Sequence, residues 1–172
     1  MTKPIVEIHV YDSSWKNQFV REKQKIETVI GHHVLAIEHI GSTSVKGLAA
    51  KPIIDIMVGI PDLENALSLV EPLREINYEY VPIPKFKDRL FFRKGLWRKG
   101  TCHLHICEFG GNEWKDKLLF RDYLRMHPEA AAEYASLKEQ LAAKYKHERS
   151  AYTKEKEPFI KNILMKGRLE SE

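Results

Sequence analysis

Cysteine is scarce: Cys102 and Cys107 are the only two in 172 residues. Two thiols cannot build a disulfide framework, so the fold must rest on its apolar core, and a reducing cytoplasm is the expected location. No apolar run approaches the roughly 18 residues of a spanning helix. The opening MTKPIVEIHVYD has neither an apolar signal core nor a cleavage motif, so no membrane partner is expected. Charge of one sign is not in excess either. The formal net charge is +4, which permits an anionic ligand but does not indicate nucleic acid. Repeats, low-complexity linkers and composition breaks are all missing. Residues 1–172 therefore read as a single domain, within the roughly 100–200 residues usual for one. A chain with 43% hydrophobic and 30% charged residues has an ordinary globular composition and is long enough to bury a core without staples.

What is there alternates between helical and strand patterns. Asp12-Ser13-Ser14 caps a helix over 12–30, with Trp15, Phe19, Ile26, Val29 and Ile30 near one face. Strands are expected in 34–40 and 52–60, the second so continuously apolar that both its faces should be buried. Pro61-Asp62 opens a helix to about 76, which Pro72 kinks or ends. A short strand follows at 78–83, then an antiparallel hairpin of 88–95 and 101–109 that turns around Gly95–Gly100. Helices are expected over 112–127 with Asn112 as cap, over 128–146, and from about 150 to 165, with a frayed tail from 167. The class is α+β: a mixed sheet of about five strands with helices on one face and a helical C-terminal third.

Chemistry concentrates in EHIGSTSVKGLAAKPIIDIMV, residues 38–58. Gly41 permits a sharp turn and close approach to a ligand. Ser42, Thr43 and Ser44 add hydroxyls and backbone N–H groups that can cradle phosphate oxygens. Lys46 and Lys51 add positive charge. Asp55, in the next strand, could hold a divalent metal facing that turn. The plainer alternative is that Asp55 accepts N–H bonds from the turn and only anchors it, since a buried carboxylate needs such a partner. The stretch 85–99, KFKDRLFFRKGLWRK, is dense in Lys and Arg with one acid, Asp88. Arg89 and Arg93 there read either as a phosphate-facing surface or as protection for an edge strand.

In CHLHICE, period-two alternation puts His103, His105 and Cys107 on one face. Beside the Asp55 strand, they would make a two-histidine, one-carboxylate site favouring Zn²⁺, Mn²⁺ or Fe²⁺ over Mg²⁺. The alternative is that His105 is a satisfied core histidine and His103 binds a loop carbonyl. Cys107 defaults to a buried thiol. Glu38-His39 could supply a further ligand or base. Arg121 and Arg125, at i and i+4 in FRDYLR, either reach an anion over the sheet or stand in solvent.

The string EHIGSTSVKGLAAKPIIDI resembles the signature of the GrpB family, as do HLHICEF, LLFRDYLRMHPEAAAEYASLK and YTKEKEPFI, so the likeness runs from about Val6 to Ile163. That resemblance implies the nucleotidyltransferase fold. GrpB-like domains also occur fused to dephospho-coenzyme A kinase, which implies proximity to nucleotide chemistry. In active members of the superfamily the strand after the Gly-Ser turn carries two acids one residue apart, and a third comes from a neighbouring strand; together they hold Mg²⁺ on a triphosphate. Asp55 matches the first acid. Met57 stands at the second, and a thioether is too soft to bind Mg²⁺; His103 or His105 would stand in place of the third. The implied function is binding of a nucleotide or other phosphorylated ligand. Gly41, Ser42, Thr43 and Ser44 would hold phosphate. Lys51, Arg89 and Arg93 would neutralise it. Asp55, His103 and His105 would supply the catalytic and metal-holding groups, with Mg, Mn or Zn as the metal. Nucleotidyl or phosphoryl transfer and a catalytically inactive ligand-binding or accessory module with a protein partner both remain open.

Overall fold

A computed structural model describes residues 5–96 and 99–171. The first helix, α1 (Ser14–Ile30), buries Trp15, Ile26 and Ile30 on the expected stripe. Its start is fixed by Asp12, whose carboxylate accepts the Ser14 N–H at 2.8 Å. The strands are β1 (Ala36–Ile40), β2 (Ile54–Ile60), β3 (Glu79–Tyr80), β4 (Arg89–Leu96) and β5 (Lys99–Glu108). They form one five-stranded sheet in the order β1-β2-β5-β4-β3. The β2–β5 pair is parallel and the others antiparallel. The sheet is mixed, and the chain is α+β as expected. The tip of the β4–β5 hairpin, at 97–98, lies outside the described residues.

The helix expected over 61–76 is broken. A 3-10 turn, Ala66–Leu69, leads into the short α2 (Val70–Arg74). Pro72 falls in the first turn of α2, where its missing N–H has no helical partner to lose, so it starts a helix rather than ending one. The C-terminal third comprises α3 (Asn112–Met126), α4 (Pro128–Lys144), α5 (Arg149–Glu155) and α6 (Glu157–Glu170). Asn112 is the first residue of α3, and its side chain makes no cap bond; Gly111 precedes it in extended conformation. The tail is not frayed. The last helix continues to Glu170, because Gly167 lets it pack directly on Leu119 of α3 and Arg168 pairs with Asp116 at 2.8 Å.

Helices cover both faces rather than one. On one face Ile54, Ile56, Val58, Leu104 and Ile106 join α1 and α2 residues in the main core. On the other, Ile40, Met57 and Cys107 meet Trp114 and Leu118 of α3. The continuous apolar run of β2 already required this. Cys102 and Cys107 are both buried and free. Among the described residues no helix is long and apolar enough to cross a membrane.

Candidate functional site

Parallel pairing of β2 with β5 sets Asp55 beside His103 and Met57 beside His105. All four project from the face that α3 covers only in part. Asp55 Oδ1 stands 3.6 Å from His103 Nδ1 and 3.9 Å from His105 Nε2. Those separations are too long for direct hydrogen bonds. They are also wider than the roughly 3.4 Å edge of a tetrahedral zinc site built from bonds of about 2.1 Å. Among the described residues no three His, Cys, Asp or Glu side chains are gathered to hold a metal. Phe91 of β4 packs against both imidazoles, each ring centroid 5.2 Å away. Burial alone would raise the Asp55 carboxyl, but the adjacent His103 and His105 outweigh it and hold Asp55 ionised, well below the usual carboxylate range. Burial lowers His105 despite the pull of Asp55, and its buried Nδ1 has no hydrogen-bond partner among the described residues. Met57 is 0% exposed within the apolar cluster of Ile40, Cys107 and Trp114. The position of the second acid is thus part of the core, and the site does not fit a resident pair of metal ions.

Gly41 turns the chain back over Asp55 with φ +72°, and a Cβ there would stand 2.5 Å from Asp55 Oδ2. Only glycine fits both the backbone conformation and the space. Ser42–Ser44 form a single 3-10 turn, so the N–H groups of Ser42 and Thr43 have no carbonyl inside that turn to meet. Ser44 Oγ donates to the Gly41 carbonyl, and Thr43 Oγ1 pairs with His39 Nε2 at 2.9 Å. Among the described residues no hydrogen bond joins the turn to the Asp55 carboxylate, so Asp55 does not serve as its anchor. The loop is held by other groups. Arg125 donates twice to the Ser44 carbonyl, at 3.1 and 2.8 Å. Arg121 donates to Glu38 at 2.7 Å and to the His39 carbonyl at 3.1 Å. Val45 and Leu48 are buried among Tyr123, Leu124, Tyr134 and Ile163 of the helical third. His39, buried and stacked on Phe19 at 4.8 Å, is pushed down to about 4, mainly by burial and against the pull of Asp55. It is therefore neutral near pH 7.

Three lysines crowd the same region. Lys51 follows the loop, Lys138 comes from α4, and Lys156 sits at the junction of α5 and α6. Burial lowers each one: Lys51 to about 7, Lys138 to about 7 and Lys156 to about 8. Lys156 acts on both Lys51 and Lys138; Arg149 presses on Lys51 and Lys156, and Asp55 offsets part of this for those two. Lys51 and Lys156 stand 5.2 and 4.7 Å from the ring centroid of Tyr152, whose buried hydroxyl has no hydrogen-bond partner among the described residues. Lys138 is 2% exposed and donates to the Ala49 carbonyl. Sequence reading found Lys51 and missed Lys138 and Lys156. A lysine in a helix-rich segment reads as solvated, and the one available signal was their place on the apolar stripes of α4 and of the α5–α6 junction.

Arg89 and Arg93, expected to face phosphate, are committed elsewhere. Arg89 pairs with Glu113 at 3.2 Å and stacks over Phe86 at 3.6 Å. Arg93 lies in the row of His103 and Asp55, but its guanidinium pairs with Glu79 at 3.3 Å, toward the opposite edge of the sheet. Lys46 is exposed at the loop surface.

The family model described as GrpB protein matches residues 5–166. The chain is 39% identical over 158 residues to the "Glutamate-rich protein GrpB" of Alkalihalophilus pseudofirmus, covering 90% of this chain and 91% of that one. It is 40% identical over 156 residues to the "UPF0157 protein YqkA" of Bacillus subtilis, covering 91% of this chain but 45% of that one. A similar unit therefore also occurs within longer proteins. One of these is a "Dephospho-CoA kinase" of Mycolicibacterium paratuberculosis, 28% identical over 182 residues and covered for 44% of its length. The crystal structure of the conserved protein GrpB from Enterococcus faecalis superposes with a TM-score of 0.86 at 37% identity, covering 94% of this chain and 96% of that one. The Cid1 structure in complex with the UTP analogue UMPNPP superposes with a TM-score of 0.51 at 17% identity, covering 79% of this chain and 43% of that one; this likeness concerns the fold alone. A family match over residues 5–166, with close relatives along nearly the whole length, places this chain in the GrpB family, with a nucleotidyltransferase-like fold.

Proposed function

We propose that the chain binds a nucleotide or other phosphorylated ligand between the Gly41–Ser44 turn and the ammonium groups of Lys51 and Lys156, without two-metal catalysis. The observation that carries this reading is the gathering of Lys51, Lys138 and Lys156, with Asp55 as the carboxylate acting on Lys51 and Lys156, under enough burial to lower all three. Desolvated cations without matching acids are costly unless a counter-anion joins them. Phosphate oxygens would accept from the lysines and from the N–H groups of Ser42 and Thr43. Asp55 is then the one repulsive contact. A divalent ion arriving on a di- or triphosphate would relieve it, since Mg²⁺ is commonly held by one or two carboxylates plus phosphate oxygens. His103 and His105 flank that carboxylate and keep it ionised. Met57, sealed in apolar packing, speaks for binding over transfer.

The test is calorimetric titration of ATP, with Mg²⁺ and with Mn²⁺, into wild type, Lys51→Ala/Lys156→Ala and Asp55→Ala. The expected result is binding that weakens about 30-fold or more in the double variant, for the loss of two charge-assisted contacts, and that loses its metal dependence in Asp55→Ala. Equal affinity in all three would overturn the reading. Release of pyrophosphate or phosphate by wild type, abolished in Asp55→Ala, would favour transfer instead.

A further inference from the structure

A groove of about 810 Å³ opens between α1, β1, the loop after β1, α3 and α4. It borders Thr43 and Ser44, but Asp55, His103, His105, Lys51, Lys138 and Lys156 are not in its walls. It is thus a neighbouring compartment that meets the Asp55 side only at the turn, of the size usual for a small-molecule site. Its charge is one-sided: Lys16, Lys46, Arg121 and Arg125 line it against the carboxylate of Glu38. That carboxylate is already taken by Arg121 at 2.7 Å. Arg125 spends Nε and Nη2 on the Ser44 carbonyl, while its Nη1 comes only within 4.0 Å of Asp122. Among the described residues no carboxylate pairs with Lys16 or Lys46. The groove therefore holds cationic donors in excess of its own acids.

Its other walls carry aromatic rings and small side chains. Tyr11, Phe19 and His39 contribute rings, with Phe19 and His39 stacked at 13° between planes. Ala131, Ala132 and Ala135 of α4 line it too, with side chains too small to fill it. Aromatic walls offer stacking to a planar group, and guanidinium and ammonium groups offer recognition of a phosphate. We propose that this groove binds a phosphomonoester carrying a planar ring, at a site distinct from the one at Asp55 and whatever that site binds. The phosphate would take Lys16, Lys46 and the free edge of Arg125, and the ring would lie along Phe19 and Tyr11.

The probe is AMP, with ribose 5-phosphate as the ringless comparison. Three variants separate the sites. Ala132→Trp fills the groove from an exposed helix position and leaves the core alone. Lys16→Glu/Lys46→Glu reverses its free charges at two exposed positions. Lys51→Ala/Lys156→Ala disables the other site. Arg125 is kept because it also holds the loop. Binding is read by calorimetry and by NMR shifts of Phe19 and His39. The expected result is AMP binding that persists in Lys51→Ala/Lys156→Ala, moves the Phe19 and His39 signals, and weakens about tenfold or more in both groove variants. Ribose 5-phosphate should bind about tenfold more weakly than AMP. AMP affinity unchanged in both groove variants, or lost only in Lys51→Ala/Lys156→Ala, would overturn the proposal. Equal affinity for the two probes would remove the ring from it.

Discussion

Two basic regions of this molecule behave in opposite ways. In the stretch 85–99 positive charge is dense along the chain, yet Arg89, Arg93 and Lys94 are each matched in space. Arg89 meets Glu113 at 3.2 Å, Arg93 meets Glu79 at 3.3 Å, and Lys94 meets Glu22 at 2.8 Å. Lys51, Lys138 and Lys156 lie far apart in sequence, yet they converge on one another, and Asp55 offsets the charge of Lys51 and Lys156 alone. A strand alternates its side chains between two faces, so neighbouring cations are handed to different partners. Helices that fold back over a loop do the reverse and bring distant cations together. Local charge density is therefore a poor guide to where an anion binds; unmatched charge in space is the better one.

The largest effect should come from disturbing the gathered region at its tightest point. Gly41→Ala forces a side chain into positive φ and against Asp55 Oδ2. Together these should cost about 2–4 kcal/mol in urea denaturation. Wild-type stability would mean that the turn is free to shift and does not frame a fixed site. On the matched side, Arg89→Ala leaves Glu113, whose side chain is 12% exposed, with only the longer Lys117 contact at 3.8 Å. A loss of about 1–3 kcal/mol is expected, with ATP affinity untouched. A fall in affinity would return Arg89 to the ligand site.

A subtler difference lies in pH. Lys138 is lowered from 10.5 to about 7 in the folded state. Between those values the unfolded chain binds more protons, so this residue makes stability rise with pH. Below about 7 its penalty is complete and constant. From pH 7 to 9, Lys138→Met should remove part of the wild-type rise, by at most about 1.4 kcal/mol per pH unit. Parallel curves for the two proteins would show that Lys138 keeps an ordinary lysine pKa. The smallest effect belongs to Arg93→Ala, whose partner Glu79 is largely exposed. A loss of roughly 0.2–1 kcal/mol is expected, with no change in ATP binding. Anything larger would mean that Arg93 serves the row of His103 and Asp55.

The turn, Asp55 and the His103–His105 face were legible because each depends on a local rule: glycine at a sharp turn, or period-two alternation on neighbouring strands. Helix α1 was legible from its cap and apolar stripe. Other features were set by events distant in sequence. The pairing of Arg89 with Glu113 depends on how α3 docks, and the order of the tail depends on Gly167 meeting Leu119. Pro72 read as a late stop because the segment before it looked helical, whereas the chain there takes a 3-10 turn. Helices on both faces could have been inferred, since β2 has buried residues on each side. The length of the loop after β1 also makes sense only in three dimensions: it faces Asp55 and packs Val45 and Leu48 into the helical third as well.

Amines that titrate near neutrality have a consequence for measurement. With Lys51 and Lys138 at about 7 and Lys156 at about 8, a share of these groups is unprotonated in a neutral solution. An anion settling among them would stabilise the ammonium forms, and protons would be taken up from the buffer. Heats of binding recorded in Tris and in PIPES, whose ionisation enthalpies differ, would then disagree by an amount that counts those protons, and affinity would fall as alkali is added. Hydrogen ion would act as a co-ligand of the lysine cluster, coupling what it holds to the acidity around it.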